Sequence, residues 1–411
     1  MNMFFDTRYR ATKLFSSIVG LWPYQSQFKR KIILSFSILV LISYLPPQLT
    51  RLYQVWGKDL DAVSMCIPPT LIIVFCAVKN MAIIWFDSEM RTLLREIEAG
   101  WADIALKKEE NQILTDYASK TRIFCIAYAA VMYNGLIWFI LMPTISPILD
   151  IVLPRNETRV RVLGFDLDYG IDMQTYWVWL WLHTSVAGVA VIFNIVGSGV
   201  IFITLTIHSC CLFEITRNKL EHITDMIRLH AMQLLEDDNH NIKYNVYQYK
   251  EVRLNLEGQA SAVRECVRSH NKAIKYVQVV HYIYAWSIFV EVAVCLINLT
   301  VSLLQLVSKL FLWSEMMMSV AYILGELMHL LFLSLMAQFI LDQSLNVHEA
   351  VYSSAWYNLS SKFQKDFVLI LRRSSVPCQL MVGNMFVLSL ETFCTILQTS
   401  MSYFTMLASF R

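Results

Sequence analysis

The chain is 411 residues long, 56% hydrophobic and only 16% charged. A soluble globular chain carries about a quarter charged residues, so this composition excludes a soluble fold and predicts a multi-span membrane protein. The net charge is only +2, so the balance implies no nucleic acid or acidic partner. Cys66, Cys76, Cys125, Cys210, Cys211, Cys295 and Cys394 lie inside apolar segments. No cysteine falls in the loop expected outside, so no disulfide framework is predicted.

Residues 1–31 carry Arg8, Arg10, Lys13, Lys29, Arg30 and Lys31. No apolar core with a cleavage site follows Met1, so no removable signal peptide is expected. The first span is predicted over 32–52, with Pro46-Pro47 kinking it or ending it early. The second runs over 61–86, with Pro68-Pro69 as a turn inside it. A charged connector, 87–121, leads to a third span over 122–147 that ends in Pro143 and Pro147. The loop 148–175 is acidic (Asp150, Glu157, Asp166, Asp168, Asp172) and holds the sequon Asn156-Glu157-Thr158. The fourth apolar run, from Tyr176 to about Phe213, exceeds one crossing, so that helix should tilt or project beyond the bilayer. Residues 214–275 are charged and helix-prone. Apolar residues recur there at Ile215, Ile223, Ile227 and Leu234, then at Leu256, Val263, Val267 and Ile274. This pattern predicts extensions of spans four and five packed on each other; the alternative is a long solvated connector. The fifth and sixth spans, about 276–307 and 311–341, share a very short link. Residues 342–380 are amphipathic and end in Arg372-Arg373-Ser374-Ser375-Val376-Pro377.

The resulting organisation is one membrane domain over 1–411. It divides into an N-terminal segment (1–31), spans one to four (32–213), a helical extension (214–275), spans five and six (276–341), an amphipathic helix (342–380) and a last span (381–411). In that last stretch, Val382 to Phe410, a helix turning about 100° per residue puts Glu391, Thr395, Gln398, Ser402, Thr405 and Ser409 on one face. Phe386, Phe393, Ile396, Leu397, Phe404 and Leu407 fall opposite. A polar stripe on a membrane helix should face protein or water. It either lines a water path between several copies or hydrogen-bonds to other helices of its own chain. Glu391 costs roughly 2.5–3.5 kcal/mol inside a span on insertion scales. It needs either pore water, where a ring of acids favours cations, or a hydrogen-bonding neighbour. His183, His208, Glu291, Glu326 and His329 also fall in or near spans. Glu326 and His329, three apart, could satisfy each other.

Lys and Arg set the orientation. The N-terminal segment and the three connectors on its side hold six, six, ten and four of them, counting Arg122 with the second-to-third connector. The opposite side holds two, three, one and one. The N-terminus is therefore expected in the cytoplasm and the C-terminus outside. Asn156 is then available for glycosylation, whereas the sequons at Asn298 (in a span) and Asn358 (cytoplasmic) are not. This topology is the inverse of a G-protein-coupled receptor, and neither Asp-Arg-Tyr nor Asn-Pro-x-x-Tyr occurs where that class carries them. An enzyme is not expected, and no catalytic residue, metal or cofactor is predicted. Gly197-Ser198-Gly199 lacks nucleophile-elbow spacing, and His348-Glu349 has no second His four residues on. A transporter is disfavoured by the odd span number and absent repeats.

Ser389-Leu390-Glu391-Thr392-Phe393, followed by Ser400-Met401-Ser402-Tyr403-Phe404-Thr405-Met406-Leu407, is similar to the end-of-chain pattern of insect odorant receptors. Trp356, Arg372-Arg373-Ser374, Pro377 and Gly383 also sit where that family keeps them. Only about the last 60 residues carry motif-level likeness. The related gustatory receptors end in Thr-Tyr, five apolar residues and Gln-Phe; here Ser402 and Ser409 replace the Thr and the Gln. A gustatory-type channel remains the alternative reading. The family's co-receptor carries a large insertion between spans four and five that this chain lacks, so the resemblance implies a ligand-tuning subunit. It further implies an all-α, seven-span fold and a heterotetrameric, ligand-gated cation channel built with the odorant co-receptor in the plasma membrane of a sensory neuron. The last helix would line the pore, with Glu391, Thr395, Gln398 and Ser402 along it and the gate at Met406 and Phe410. About 200–275 and 342–380 would make the inter-subunit contacts. A small volatile organic ligand would bind between helices two, three, four and six. The residues this implies are Met65, Thr70, Tyr133, Asn134, Trp138, Trp177, Trp181, His183, Thr184, Met317, Met318 and Tyr322.

Overall fold

The computed structural model describes residues 2–104, 108–154, 159–237, 246–308, 313–354, 356–359 and 361–409. Two short helices, α1 (Asn2–Arg8) and α2 (Arg10–Ile18), precede the first long helix, α3 (Gln27–Val55). α4 (Leu60–Trp85) and α5 (Asp87–Ile104) follow, then α6 (Lys108–Leu141), a 3-10 turn (Met142–Thr144) and α7 (Ile145–Val152). α8 (Trp177–Asp237) and α9 (Val246–Ser308) have 61 and 63 residues. At 1.5 Å per residue each is roughly 90 Å long, about three bilayer cores. α10 (Trp313–Ser353), α11 (Ser361–Ser374), a two-stranded hairpin and α12 (Leu390–Ser409) complete the chain. Among the described residues, six helices are long and apolar enough to cross a membrane: α3, α4, α6, α8, α9 and α10. α12 is the seventh, and the Glu, Gln, Thr and Ser of its polar stripe lower its hydropathy.

α8 is the axis of the bundle and packs on α6, α9, α10 and α2. Val196, Val200, Ile201, Leu205 and Phe213 are fully enclosed. Its buried hydroxyls need no outside partner, because each can donate back to the carbonyl four residues earlier. Thr204 does so to Val200 (2.7 Å), Thr206 to Phe202 (2.8 Å) and Ser209 to Leu205 (2.9 Å). The Gly197-Ser198-Gly199 run is a packing device. A Cβ at Gly197 would stand 2.3 Å from Val19, and one at Gly199 would stand 2.5 Å from the Tyr128 ring. The first of these contacts seats the N-terminal segment against α8, where Thr12 also meets Thr204 hydroxyl to hydroxyl at 2.7 Å.

Beyond the apolar spans, α8 and α9 remain paired. Thr216 meets Ser269 at 2.8 Å, Lys219 meets Glu265 at 2.8 Å, and Ile215, Leu220, Ile223, Val263, Cys266 and Ile274 are buried.

Three sequence expectations are corrected. Both proline pairs lie within continuous helices, so Pro46-Pro47 does not end α3 and Pro68-Pro69 makes no turn in α4. A membrane helix tolerates proline where a neighbour takes up the carbonyl it leaves without a donor. Pro68 has no N–H for the Ser64 carbonyl, and Gln305 of α9 supplies one at 2.8 Å. The third helix begins at Lys108, well inside the predicted connector. The last helix starts at Leu390 rather than Val382, because Met381–Val382 pairs antiparallel with Phe386–Val387. Gly383 (φ +53°) and Asn384 (φ 61°) form the intervening turn, the left-handed pair a tight hairpin needs. Phe386 therefore belongs to the hairpin, not to the helix face.

Gln305→Leu should cost about 1–3 kcal/mol by removing the amide donor to the Ser64 carbonyl. The cost should shrink in a Pro68→Ala background, which restores the helical N–H. Melting temperatures of the four detergent-solubilised forms would show this coupling, and additive losses would contradict it.

Candidate functional site

A cavity of about 440 Å³ lies among α3, α4, α6, α8, α9 and α10, beneath the loop 159–176. Its walls are mostly aliphatic, aromatic and methionine side chains, the adaptable dispersion surface that a small apolar ligand requires. Val162 to Leu167 close one end. The loop is tied down there by Arg51–Asp166 at 2.8 Å, by Gln54 with Asp168, and by the Asp168 amide donating to Pro47 O at 3.1 Å. Phe139 is wedged between two glycines: a Cβ at Gly164 or Gly188 would come within 2.5 or 2.8 Å of its ring.

Of the residues implied by resemblance, Met65, Trp138, Thr184, Met318 and Tyr322 line the cavity. The others have different placements. The Thr70 hydroxyl donates to Cys66 O at 2.8 Å. Tyr133 packs between Phe15 and Phe193. Asn134 is exposed and Met317 half-buried, both outside the lining. Trp177 and Trp181 stack at 5.9 Å, and their indoles donate to Val162 O (2.9 Å) and Ile140 O (3.0 Å), so they brace the loop and the end of α6. His183 bridges α3 and the loop. Burial pushes the Tyr169 phenol up to about 12, so it stays protonated and donates to His183 Nδ1 at 2.8 Å. His183 Nε2 is left to donate to Ser43 Oγ at 3.0 Å.

The polar end of the cavity was only partly legible in the sequence. Glu326 and His329 do not satisfy each other. His329 Nε2 lies 2.5 Å from Glu291 Oε1, and its Nδ1 lies 2.8 Å from the Tyr128 hydroxyl. Lys79 Nζ lies 2.9 Å from the same Glu291 oxygen. Four residues on four helices thus form one buried relay. Glu326 Oε1 instead accepts from Asn298 Nδ2 at 2.8 Å and from the Tyr322 hydroxyl at 3.3 Å. Two further functional candidates had weak signals: Lys79 as a lone cation in an apolar run, and Phe139 through the glycines that admit it.

On α12, Ile396 and Ser400 are buried where the helix packs on α9 and α10. Glu391, Thr395, Gln398, Ser402, Thr405 and Ser409 are all exposed on the other side. Thr395, Thr405 and Ser409 donate only to nearby carbonyls of their own helix. Among the described residues, no side chain of the stripe hydrogen-bonds to another helix. Met406 is also exposed. Phe410 and Asn156 lie outside the described residues.

Residues 59–401 match the family model described as 7tm Odorant receptor. The chain is 30% identical over 151 residues to Odorant receptor Or2 of Anopheles gambiae, covering 35% of this chain and 38% of that receptor. It is 25% identical over 205 residues to Odorant receptor 10 of Aedes albopictus, covering 50% and 53%. The chain thus spans about half the length, or less, of the curated relatives it matches. In fold it is similar to the insect olfactory receptor OR5 of Machilis hrabei solved in complex with eugenol. That likeness has a TM-score of 0.75 and 16% identity, covering 99% of this chain and 98% of the other. A second structure, of OR5 from Machilis hrabei, gives a TM-score of 0.68 at 16% identity, covering 97% of each chain.

Lys79→Ala should cost about 3–5 kcal/mol, because it strands the Glu291 carboxylate in the bundle. The expected readouts are a lower melting temperature and reduced surface expression. Lys79→Met combined with Glu291→Leu should recover most of the loss. A single Lys79→Ala variant as stable as the parent would show that the pair does not hold the helices.

Proposed function

Because the chain belongs to the insect odorant receptor family, we propose that it is the ligand-tuning subunit of a ligand-gated, non-selective cation channel, assembled with the odorant co-receptor in a sensory-neuron plasma membrane. As a family member it is a membrane receptor and not an enzyme. Its ligand is a small volatile organic molecule held in the 440 Å³ cavity. One observation carries the channel reading, namely the exposed polar stripe of α12. Among the described residues, Glu391, Thr395, Gln398 and Ser402 hydrogen-bond to no other helix, and facing lipid would be costly. Several copies of α12 around an axis give the stripe water and give an ion a polar path. Met406 and Phe410, near the C-terminal end of the sequence that carries the stripe, would gate that path by dewetting. The same stripe on a protein that worked alone, coupled to a G protein, would have to be covered by other helices of its own chain.

The eugenol complex of the structurally similar Machilis receptor supports a small aromatic molecule as the ligand class. The cavity here favours the same kind of molecule by the chemistry of its walls. Five of the implied ligand residues line it: Met65, Trp138, Thr184, Met318 and Tyr322.

Patch-clamp recording with G-protein signalling blocked tests the reading. Cells expressing this chain with the co-receptor should give a fast cation current to members of a volatile panel, and cells expressing the chain alone should give none. Current from the chain alone would indicate a self-sufficient channel of the gustatory type. Met406→Ala should raise the ligand-free current at unchanged surface expression. Glu391→Gln should shift reversal potentials in mixed-cation solutions if that carboxylate borders the pore, and leave them fixed if it only meets a neighbouring helix.

A further inference from the structure

We propose that Glu326 makes this receptor selective for small amines, binding the ligand's ammonium group at one wall of the cavity while the apolar walls hold its hydrocarbon part. The inference rests on the reading of the cavity as the ligand site, and three observations carry it.

The first is charge balance. Among the titratable residues in the cavity wall, Asp166 is paired with Arg51, and His329 lies against Glu291, which also holds Lys79. Glu326 lines the same cavity and has no cationic partner among the described residues. An ionised carboxylate in an apolar wall needs a counter-charge or strong hydrogen bonds. The second is the arrangement of donors. Asn298 Nδ2 and the Tyr322 hydroxyl both donate to Oε1, which fixes the carboxyl group, while Oε2 accepts nothing. The third is an unmet acceptor beside it. Asn298 Oδ1 is likewise buried with no hydrogen-bond partner. The Ser302 hydroxyl, one turn further along α9, is also unpaired and can accept as well as donate. An alkylammonium group supplies a positive charge together with up to three N–H donors. An alcohol supplies one donor, and a ketone or ester supplies none.

Other clusters lack such a vacancy. The Lys79–Glu291–His329–Tyr128 relay already holds its own cation, and the exposed Glu109–His222 pair on α6 and α8 is complete in itself.

Heptylamine and heptan-1-ol share chain length and differ at the head group, so they are the probes. Binding is measured by thermal stabilisation and competition on the purified full-length chain in lipid nanodiscs. Heptylamine should bind about 10-fold more tightly than heptan-1-ol or better, the margin of one charge-assisted contact. Glu326→Gln keeps the shape and the acceptor for Asn298 and Tyr322, so it should abolish that margin. The variant also corrects for partition of the amine into the lipid. Ser302→Ala should retain the margin in reduced form and provides a second test if the Gln variant does not fold. Equal affinities in the parent, or a margin that persists in Glu326→Gln, would overturn the proposal. Currents in cells with the co-receptor separate it from the channel reading. Amine-selective binding without current contradicts the channel and not the ligand chemistry. Currents driven equally by neutral volatiles and amines contradict the chemistry and not the channel.

Discussion

Lys79 and Glu291 face each other at 2.9 Å in the middle of the bundle, with almost none of either side chain exposed. Neither charge can be buried alone, because an isolated ion in a low-dielectric interior is far too costly. Each therefore dictates where the other's helix must lie, and α4 is held against α9 at one register. His329 and Tyr128 extend the constraint to α10 and α6. Dispersion between apolar helices in lipid is nearly indifferent to small slides, since lipid tails offer similar contacts. A point-to-point ionic contact is not, and it gives this bundle the specificity that its apolar surfaces cannot. The same relay forms part of the cavity wall through His329, so the element that sets the helix register also borders the cavity.

The cavity exists because the helices around it cannot all close. Phe139 needs the space at Gly164 and Gly188, and any larger residue at either position would clash with its ring. On the outer side, Arg51 and Gln54 hold the loop through its two aspartates, while Trp177 and Trp181 support its backbone and the end of α6. Polar groups are thus spent on fixing the lid and on the inner relay, and the walls between are left to dispersion. That separation suits an apolar ligand with one polar head, and it confines orientation to the few groups left with capacity.

Composition and hydropathy revealed the membrane class, the long apolar helices before the last span and the polar stripe, because these follow from the bilayer acting as solvent. The excess length of α8 was legible for the same reason. Pro68 misled because local propensity was overridden by a tertiary partner, Gln305, that sequence spacing could not reveal. The Met381–Val387 hairpin was hidden in an apolar run, where the Gly383-Asn384 pair was its one visible signal. Ionisable residues inside spans were recognisable as needing partners, but not whose. Glu326 and His329 are neighbours on one helix, yet each turns to a different group on α9. Trp177, Trp181 and His183 carried the chemistry of a binding wall and brace the structure instead, while Trp138 lines the cavity, a distinction that depends on helix rotation and not on residue type.

α9 links the cavity to α12. On one side it contributes Cys295, Ser302 and Gln305 to the cavity and Glu291 to the relay. On the other it packs against α12. Between these, Phe289 presses on Gly383, and His281 accepts the Met381 amide and meets Asn384 at the turn that launches α12. Gly383 leaves no slack there, because a Cβ would already stand 2.8 Å from the Phe289 ring. A close-packed contact transmits displacement instead of absorbing it. Any shift of α9 that accompanies a change in the cavity wall must therefore reach the hairpin within two residues of Glu291, and from there the first turn of α12, where Glu391 begins the polar stripe.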